Sequence, residues 1–194
     1  MQLQLAIVIG AIIVGGAITA NFAFTTDTSV SANTVKSAAG LVGHLTLTAT
    51  NEDGEIIAYR QTDNVVVNAG DDCLLDDTFG TSLSSCTSPD TAFTFVHIGT
   101  GGDSSVTETD TGLTTFETQT GGTTSNFVAA ATDQGASIRV TADFLDVSAS
   151  IDEAALMNTA AVTGDVLALQ EFAAISLGQN DDLTIEWTVT IDGS

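Results

Sequence analysis

The feature that most constrains this chain is its N-terminal apolar stretch, residues 3–24, which has no charged side chain. About 20 apolar residues are enough to cross a hydrocarbon core as a helix. Left exposed in water, this much apolar surface would make a monomer aggregate. The stretch therefore has to be removed, held in a membrane or buried by other protein.

Three interpretations of the stretch are open. The first is a secretory signal peptide, but residues 1–4 lack the usual Lys or Arg, and no clean A-x-A cleavage site lies near Ala20 or Ala23. The second is a retained membrane anchor. The distribution of basic residues does not predict its orientation, because the first of them, Lys36, is far from the stretch.

The third interpretation, which we favour, is an assembly segment. An apolar helix, or an extended strand rich in Ile and Val, would pass from membrane storage into the interior of a filament and be buried there by neighbouring subunits. The large apolar side chains that would make these contacts are Leu5, Ile7, Val8, Ile9, Ile12, Ile13, Val14, Ile18, Phe22 and Phe24.

The rest of the chain divides into a linker and one domain. Residues 27–40 are small and polar, without a sustained apolar period, and residues 41–194 are rich in Thr and patterned for strands. We therefore assign residues 1–26 to an export or assembly segment, 27–40 to a linker and 41–194 to a single domain, a size ample for one hydrophobic core.

The chain is strongly acidic, which excludes some partners. It has 3 Lys and Arg against 25 Asp and Glu, a formal net charge of −22. Nucleic-acid binding needs a basic face and is not expected, and binding to an anionic lipid surface is disfavoured for the same reason. The acidity suits either a saline habitat, where salt screens self-repulsion, or simply a soluble acidic surface.

The two cysteines, Cys73 and Cys86, lie in an irregular acidic stretch. Behind an export-type N-terminus they predict a disulfide bond, worth about 3 kcal/mol in the loop-entropy model. Without a nearby His at ligand spacing they make a poor metal site.

Short alternating segments predict an antiparallel β-sandwich. The clearest are a hairpin over residues 41–60, turning at Asp53-Gly54, and a final strand over 183–191 whose buried face carries Trp187. Further strands are predicted at 64–68, 92–98, 137–144 and within 114–132, where Gly121-Gly122 makes a turn, and 166–175 is another apolar run. We expect one helical turn within the insertion at 69–91, with Leu74, Leu75 and Phe79 against the core, and a short turn at 150–158.

No side-chain constellation typical of an enzyme is visible. His44 and His97 lie on separate strands and are interpreted as ordinary strand histidines, with no GxSxG motif beside them. Four aspartates, Asp71, Asp72, Asp76 and Asp77, are weak candidates for Ca²⁺ ligands, although their spacing does not fit an EF-hand. We therefore predict no catalytic residue, no cofactor and no assigned metal.

The layout of the whole chain, an uninterrupted apolar N-terminus followed by an acidic, Thr-rich β domain, resembles secreted filament subunits of archaea. In pilin-like families this implies an N-terminal helix packed in the filament interior. In donor-strand families it implies an N-terminal strand that completes the next subunit's sheet.

A second, looser resemblance covers roughly residues 60–191. The segments FVHIGTG (95–101) with TDTGL (109–113), IDEAAL (151–156) and the terminal TIEWTVTI strand (184–191) are similar to tail and virion structural proteins of viruses. This resemblance implies a structural β module and no catalytic activity.

From these observations we expect an exported structural protein at the cell surface that forms an extracellular homopolymer through residues 3–24, meeting a membrane before assembly or through a retained anchor. The alternatives are a virion or tail structural protein and a membrane-anchored binding module.

Overall fold

A computed structural model describes residues 40–80, 86–87, 91–102, 105–128 and 135–191. Contacts divide the chain into two units, residues 1–34 and 35–194, and the described strands and helix belong to the second unit. The strands are β1 (Leu41–Thr50), β2 (Ile56–Val66), β3 (Phe95–Thr100), β4 (Thr115–Gly121), β5 (Thr123–Val128), β6 (Ala136–Phe144), β7 (Ser150–Met157), β8 (Val166–Ser176) and β9 (Asp182–Ile191), and one helix, α1 (Asn68–Phe79), follows β2.

All nine strands belong to one antiparallel sheet in the order β4-β3-β7-β8-β2-β1-β9-β6-β5. The predictions of a mainly β, antiparallel fold are therefore confirmed. A two-layer sandwich is not confirmed, because the two halves of the sheet are joined through β2, which pairs with β1 on one side and with β8 on the other.

The sheet curls until its edges nearly meet. The edge strands β4 and β5 are consecutive in the chain and are separated by Gly122 alone. β4 pairs with β3, and β5 pairs with β6 at the opposite edge. The predicted turn at Gly121-Gly122 is therefore not a hairpin but a bend that carries one stretch of chain from the first edge to the last.

One hydrophobic core fills the concave side of the curled sheet. Alternate residues of β1 are buried, and two of them, Leu45 and Leu47, lie opposite Trp187 and Ile185 of β9. Residues of β3, β7 and β8, such as Ile98, belong to the same cluster. The alternating patterns of the first hairpin and of the last strand predicted this face correctly.

A smaller apolar cluster lies on the other face of β7 and β8. It contains Val67, Ala155, Met157, Val166 and Leu169, and the start of α1 and the chain at 106–113 pack against it. This second cluster explains why the prediction of a turn at 150–158 was wrong. β7 is buried on both faces, so its sequence does not alternate as a half-exposed strand does.

The region after β2 also differs from the sequence-based expectation. β2 continues to Val66 and a helix begins at Asn68, where a separate strand at 64–68 was expected. The helix has 12 residues instead of a single turn, and it ends at Gly80 with φ of 63°, a left-handed conformation that glycine adopts without strain. Of its three expected core residues only Leu74 packs against the core, since Leu75 and Phe79 are exposed.

Candidate functional site

The most unusual feature of the sheet is a place where two neighbouring strands separate. β2 and β8 pair only at Val65 with Leu169 and at Val66 with Ala168. The remainder of β2 is paired with β1 on its other side, and the remainder of β8 with β7. We call the facing edges of residues 56–64 and 170–176 the seam, and no strand of the described chain lies between them.

Backbone groups along the seam point toward the gap. In a strand, the N–H and C=O groups of alternate residues point to the same side. Those of Tyr59, Gln61 and Asp63 therefore point in the same direction as those of Val65, toward β8. These groups have no partner strand on that side in the part of the chain that the structure describes.

Nearby side chains occupy some of these carbonyl groups. Nη1 of Arg60 donates to the carbonyl oxygen of Tyr59 at 2.8 Å. Oγ1 of Thr62 donates to the carbonyl oxygen of Asp63 at 3.2 Å. On β8, Nε2 of Gln170 donates to the carbonyl oxygen of Glu171. Local side chains thus replace part of the missing ladder.

The inner side of β2 is polar where it borders the seam. Arg60 pairs with Leu47 of β1 and therefore faces the same side as that buried residue. Two side-chain donor atoms, Nε of Arg60 and Nδ2 of Asn64, are buried without an acceptor among the described residues. Such atoms are uncommon in folded proteins, and both are on the seam strand.

The outer side of the seam carries exposed apolar side chains at one end, whereas the exposed side chains of Gln61 and Asp63 make the other end polar. Ile56, Ile57 and Tyr59 are 56%, 46% and 46% exposed. On β8, Ala173 and Ala174 are also exposed. Natural edge strands usually carry charges, prolines or a covering element that prevents pairing with other chains. An open sheet edge is also a surface to which another extended chain can add as a strand.

A polar pocket of about 490 Å³ lies at a second place, between the chain at 105–114 and strands β7 and β8. Glu153, only 2% exposed, borders it. Its carboxylate accepts hydrogen bonds from the N–H groups of Thr114 and Thr115 at 2.8 and 2.9 Å. These bonds hold the chain in place at the start of β4, so one role of the Glu153 carboxylate is to stabilise the fold.

The predicted disulfide between Cys73 and Cys86 is present and buried. Next to it, the carboxylate of Asp165 accepts hydrogen bonds from Thr87 N–H at 3.0 Å and from Nδ2 of Asn158 at 2.9 Å. Cys73, Cys86 and Asp165 form the one group of three possible metal ligands within 4.8 Å of one another in the described chain. Because the sulfurs are bonded to each other, this group serves to attach the helix and the chain after it to the β7–β8 connection.

The four calcium candidates lie along α1. Asp76 is buried, and the pKa of Asp71 is raised, first by burial and then by the negative charges of Asp72 and Glu108. In the described chain, no three of these four carboxylates bring ligand atoms within 4.8 Å of one another. Calcium binding here therefore has no geometric support and stays a prediction from the sequence.

The two histidines lie in different environments. Nδ1 of His44 is 2.9 Å from Oδ1 of Asp63 on the outer face of the β1–β2 hairpin. His97 is 1% exposed, with Nε2 at 2.9 Å from the carbonyl oxygen of Thr159, and burial lowers its pKa. The hydrogen-bond partners, Asp63 for His44 and the Thr159 carbonyl for His97, fit the interpretation of both as ordinary strand histidines.

The predicted assembly residues, Leu5 to Phe24, lie outside the described residues. Among the residues that the structure does describe, no helix has the length and apolar character needed to cross a membrane. Comparisons of the chain with protein-family models, curated proteins and solved structures found no match.

Sequence reasoning missed the seam. β2 has the pattern of an ordinary second strand of a hairpin, and pairing with β8 joins residues more than 100 positions apart. Two signals were visible in the sequence. Arg60 falls at an inward register position, and Ile56-Ile57 places two large apolar residues next to each other where alternation would expose one of them.

Proposed function

We propose that this protein is a structural subunit of an extracellular filament and that it assembles through its apolar N-terminal segment. The observation that carries the proposal is the uncharged stretch at residues 3–24, attached to a disulfide-bonded β domain. Burying apolar surface contributes roughly 25 cal/mol per Å². Neighbouring subunits can supply that burial in a polymer.

Two features of the described domain, and the charge of the whole chain, support the proposal. The disulfide is typical of proteins that function in oxidising compartments outside the cytosol. The seam offers an open sheet edge, which is the kind of surface through which β proteins join one another. The net charge of −22 makes subunits repel, so assembly should be favoured by salt, which screens that repulsion.

The test compares the full chain with a chain that lacks residues 1–24, both examined by negative-stain electron microscopy and sedimentation in low and high salt. We expect the full chain to form filaments and the shortened chain to stay monomeric. Filaments of the shortened chain would overturn the proposal. A full chain that is found only as a monomer in membranes would favour the anchored module instead.

A matched pair of substitutions tests whether assembly needs the apolar character of the stretch and not only its presence. Ile9→Asp with Ile13→Asp places two charges in the apolar stretch, while Ile9→Val with Ile13→Val keeps its character and shape. The Asp variant should not form filaments, and the Val variant should form them as the unchanged protein does. Equal assembly of the two variants would contradict a role for the stretch in the filament interior.

A further inference from the structure

We propose that the polar pocket between the chain at 105–114 and strands β7 and β8 binds a neutral sugar. The pocket lies in the described domain and does not involve residues 3–24. The inference therefore goes beyond the proposed function, and either can fail without the other. The pocket volume of about 490 Å³ is within the range of small-molecule sites, roughly 300–1,000 Å³, so a sugar ring has room there.

The lining of the pocket matches the chemistry of a sugar. Five residues with hydroxyl side chains line it, namely Ser105, Thr107, Thr109, Thr111 and Thr114. Val106 and Leu169 add apolar surface to the same lining. A sugar presents hydroxyl groups, which both donate and accept hydrogen bonds, around a ring with apolar C–H groups. Hydroxyl side chains also donate and accept, so this lining complements both parts of such a ligand.

The chain that covers the pocket is held in place without a ligand. N–H of Thr107 donates to Oδ2 of Asp110 at 2.7 Å within this stretch. N–H of Asn68, at the start of α1, donates to the carbonyl oxygen of Glu108 at 2.8 Å. Val106 packs against the apolar cluster on the outer face of β7 and β8. A site that is already ordered loses less conformational entropy when it binds.

Two deeply buried side chains at the pocket provide hydrogen-bond acceptors. Glu153 and Gln170 are 2% and 7% exposed. Both carboxylate oxygens of Glu153 are fixed by backbone N–H groups at the start of β4, and each oxygen keeps a second lone pair. Nε2 of Gln170 donates to the carbonyl oxygen of Glu171, but Oε1 of Gln170 receives no hydrogen bond within the described chain. Polar side chains this deeply buried usually have partners, and a ligand hydroxyl is a suitable donor.

The charge of the lining limits the class of ligand. Asp110 and Glu153 contribute carboxylates, and the described residues that line the pocket include no Lys, Arg or His, so an anionic ligand would be repelled. In the described chain, the one group of three possible metal ligands within 4.8 Å lies elsewhere, at Cys73, Cys86 and Asp165. The pocket carboxylates therefore do not converge on a metal ion. A neutral, hydroxyl-rich ligand meets both conditions, and the test separates it from a cationic one.

The test is saturation-transfer difference NMR of the full-length protein with glucose, galactose and mannose at millimolar concentrations. Glucuronate and glucosamine, an anion and a cation at mildly acidic pH, are the charged probes matched to glucose. We expect saturation to pass from the protein to at least one neutral sugar and not to glucuronate. The absence of transfer to all of the neutral sugars, or transfer to glucosamine alone, would overturn the inference.

A substitution that fills the pocket shows whether the sugar binds there. Gly112 lines the pocket, a Cβ at this position would meet no atom within 4 Å, and its backbone is outside the left-handed region. Gly112→Phe should therefore fold and occupy part of the pocket, whereas Gly112→Ala leaves most of it open. We expect the sugar affinity to fall at least about tenfold in the Phe variant and to change little in the Ala variant. Equal affinities would contradict binding in this pocket.

A second pair of variants decides the matter even if Gly112→Phe does not fold. Thr109→Val with Thr111→Val removes two hydroxyls from the lining, and Thr123→Val with Thr124→Val removes two exposed hydroxyls of β5 outside the pocket. The first variant should bind the sugar about fivefold more weakly or worse, because hydrogen bonds to the ligand are lost, and the control should bind as the unchanged protein does. Circular dichroism confirms that each variant is folded. Equal binding by the two folded variants would overturn the assignment, and the proposed function would stand.

Discussion

Nε1 of Trp187 donates a hydrogen bond of 2.9 Å to Oδ1 of Asn64. Trp187 is fully buried at the centre of β9, and Asn64 is the last residue of β2 before the two residue pairs that join β2 to β8. The bond therefore connects the centre of the core to the closed end of the seam. It also lies beside Gly43, where an added Cβ would be only 1.8 Å from Oδ1 of Asn64.

Replacing Asn64 by Leu should lower the free energy of unfolding by about 1–3 kcal/mol, because the buried indole N–H of Trp187 would lose its acceptor. Asn64→Asp is the control, since it retains an oxygen at the same position. Urea unfolding followed by tryptophan fluorescence would measure both. An Asn64→Leu variant as stable as the unchanged protein would show that this bond is unimportant.

The bend between β4 and β5 provides a second prediction with a neighbouring control. A Cβ at Gly122 would lie 2.4 Å from Cγ1 of Val140 and 3.0 Å from the carbonyl oxygen of Thr94, whereas a Cβ at Gly121 would meet nothing closer than 3.7 Å. Gly122→Ala should therefore destabilise the fold by about 1–3 kcal/mol through crowding, and Gly121→Ala should have little effect. Thermal unfolding by circular dichroism distinguishes the two, and equal melting temperatures would contradict the tight bend.

The disulfide should contribute substantially to stability. Cys73 and Cys86 are 13 residues apart, and closing a loop of this size is worth about 3 kcal/mol in the entropic model. The Cys73→Ala/Cys86→Ala variant and the reduced unchanged protein should therefore unfold at a similar, lower urea concentration. A reducing agent should not affect the double variant further, and an unchanged urea midpoint in that variant would refute the prediction.

His97 should make stability depend on pH. Burial lowers its pKa in the folded state below the ordinary value of 6.5, so the unfolded chain binds a proton at a higher pH than the folded chain does. The free energy of unfolding should then rise as pH increases from the lowered pKa to 6.5 and should level off above it.

The measurement is urea unfolding of the unchanged protein and of His97→Gln at pH 5, 6 and 7.5. The stability difference between the two proteins should grow with pH up to about 6.5, and a pH-independent difference would contradict the prediction. Comparing the two proteins at each pH cancels the contributions that other titratable groups make to the pH dependence of stability. One of these groups is Asp71. Because its pKa is raised in the folded state, it makes the free energy of unfolding fall as pH rises above its ordinary value of 3.8.

The parts of the fold that could be predicted are those governed by local pattern. The hairpin of β1 and β2 has alternating strands and an Asp-Gly turn in which Gly54 has φ of 77°. The last strand alternates so regularly that its buried face and Trp187 could be assigned directly. β1 and β9 each have one face in the core and one face outside, so burial imposes a period of two on their sequences.

The predictions that failed lie where burial does not follow that period. β7 is covered on both faces, so residues 150–158 have no alternation and resembled a turn. The extent of α1 was missed because its sequence, with Asp and Gly residues, has no clear apolar face. The helix is held instead by the Cys73–Cys86 disulfide and by close packing of Gly70 against Leu167, contacts that join distant parts of the chain.

The sequence by itself determined the apolar N-terminal stretch, the acidity, the disulfide and the antiparallel β character, because each depends on composition or on neighbours a few residues apart. Only the tertiary structure decided that the strands form one curled sheet and that β2 and β8 separate after Val65 and Leu169. Pairing between distant strands depends on twist, bulges and packing of the whole sheet. For that reason the candidate assembly surface could not be found in any single segment of the sequence.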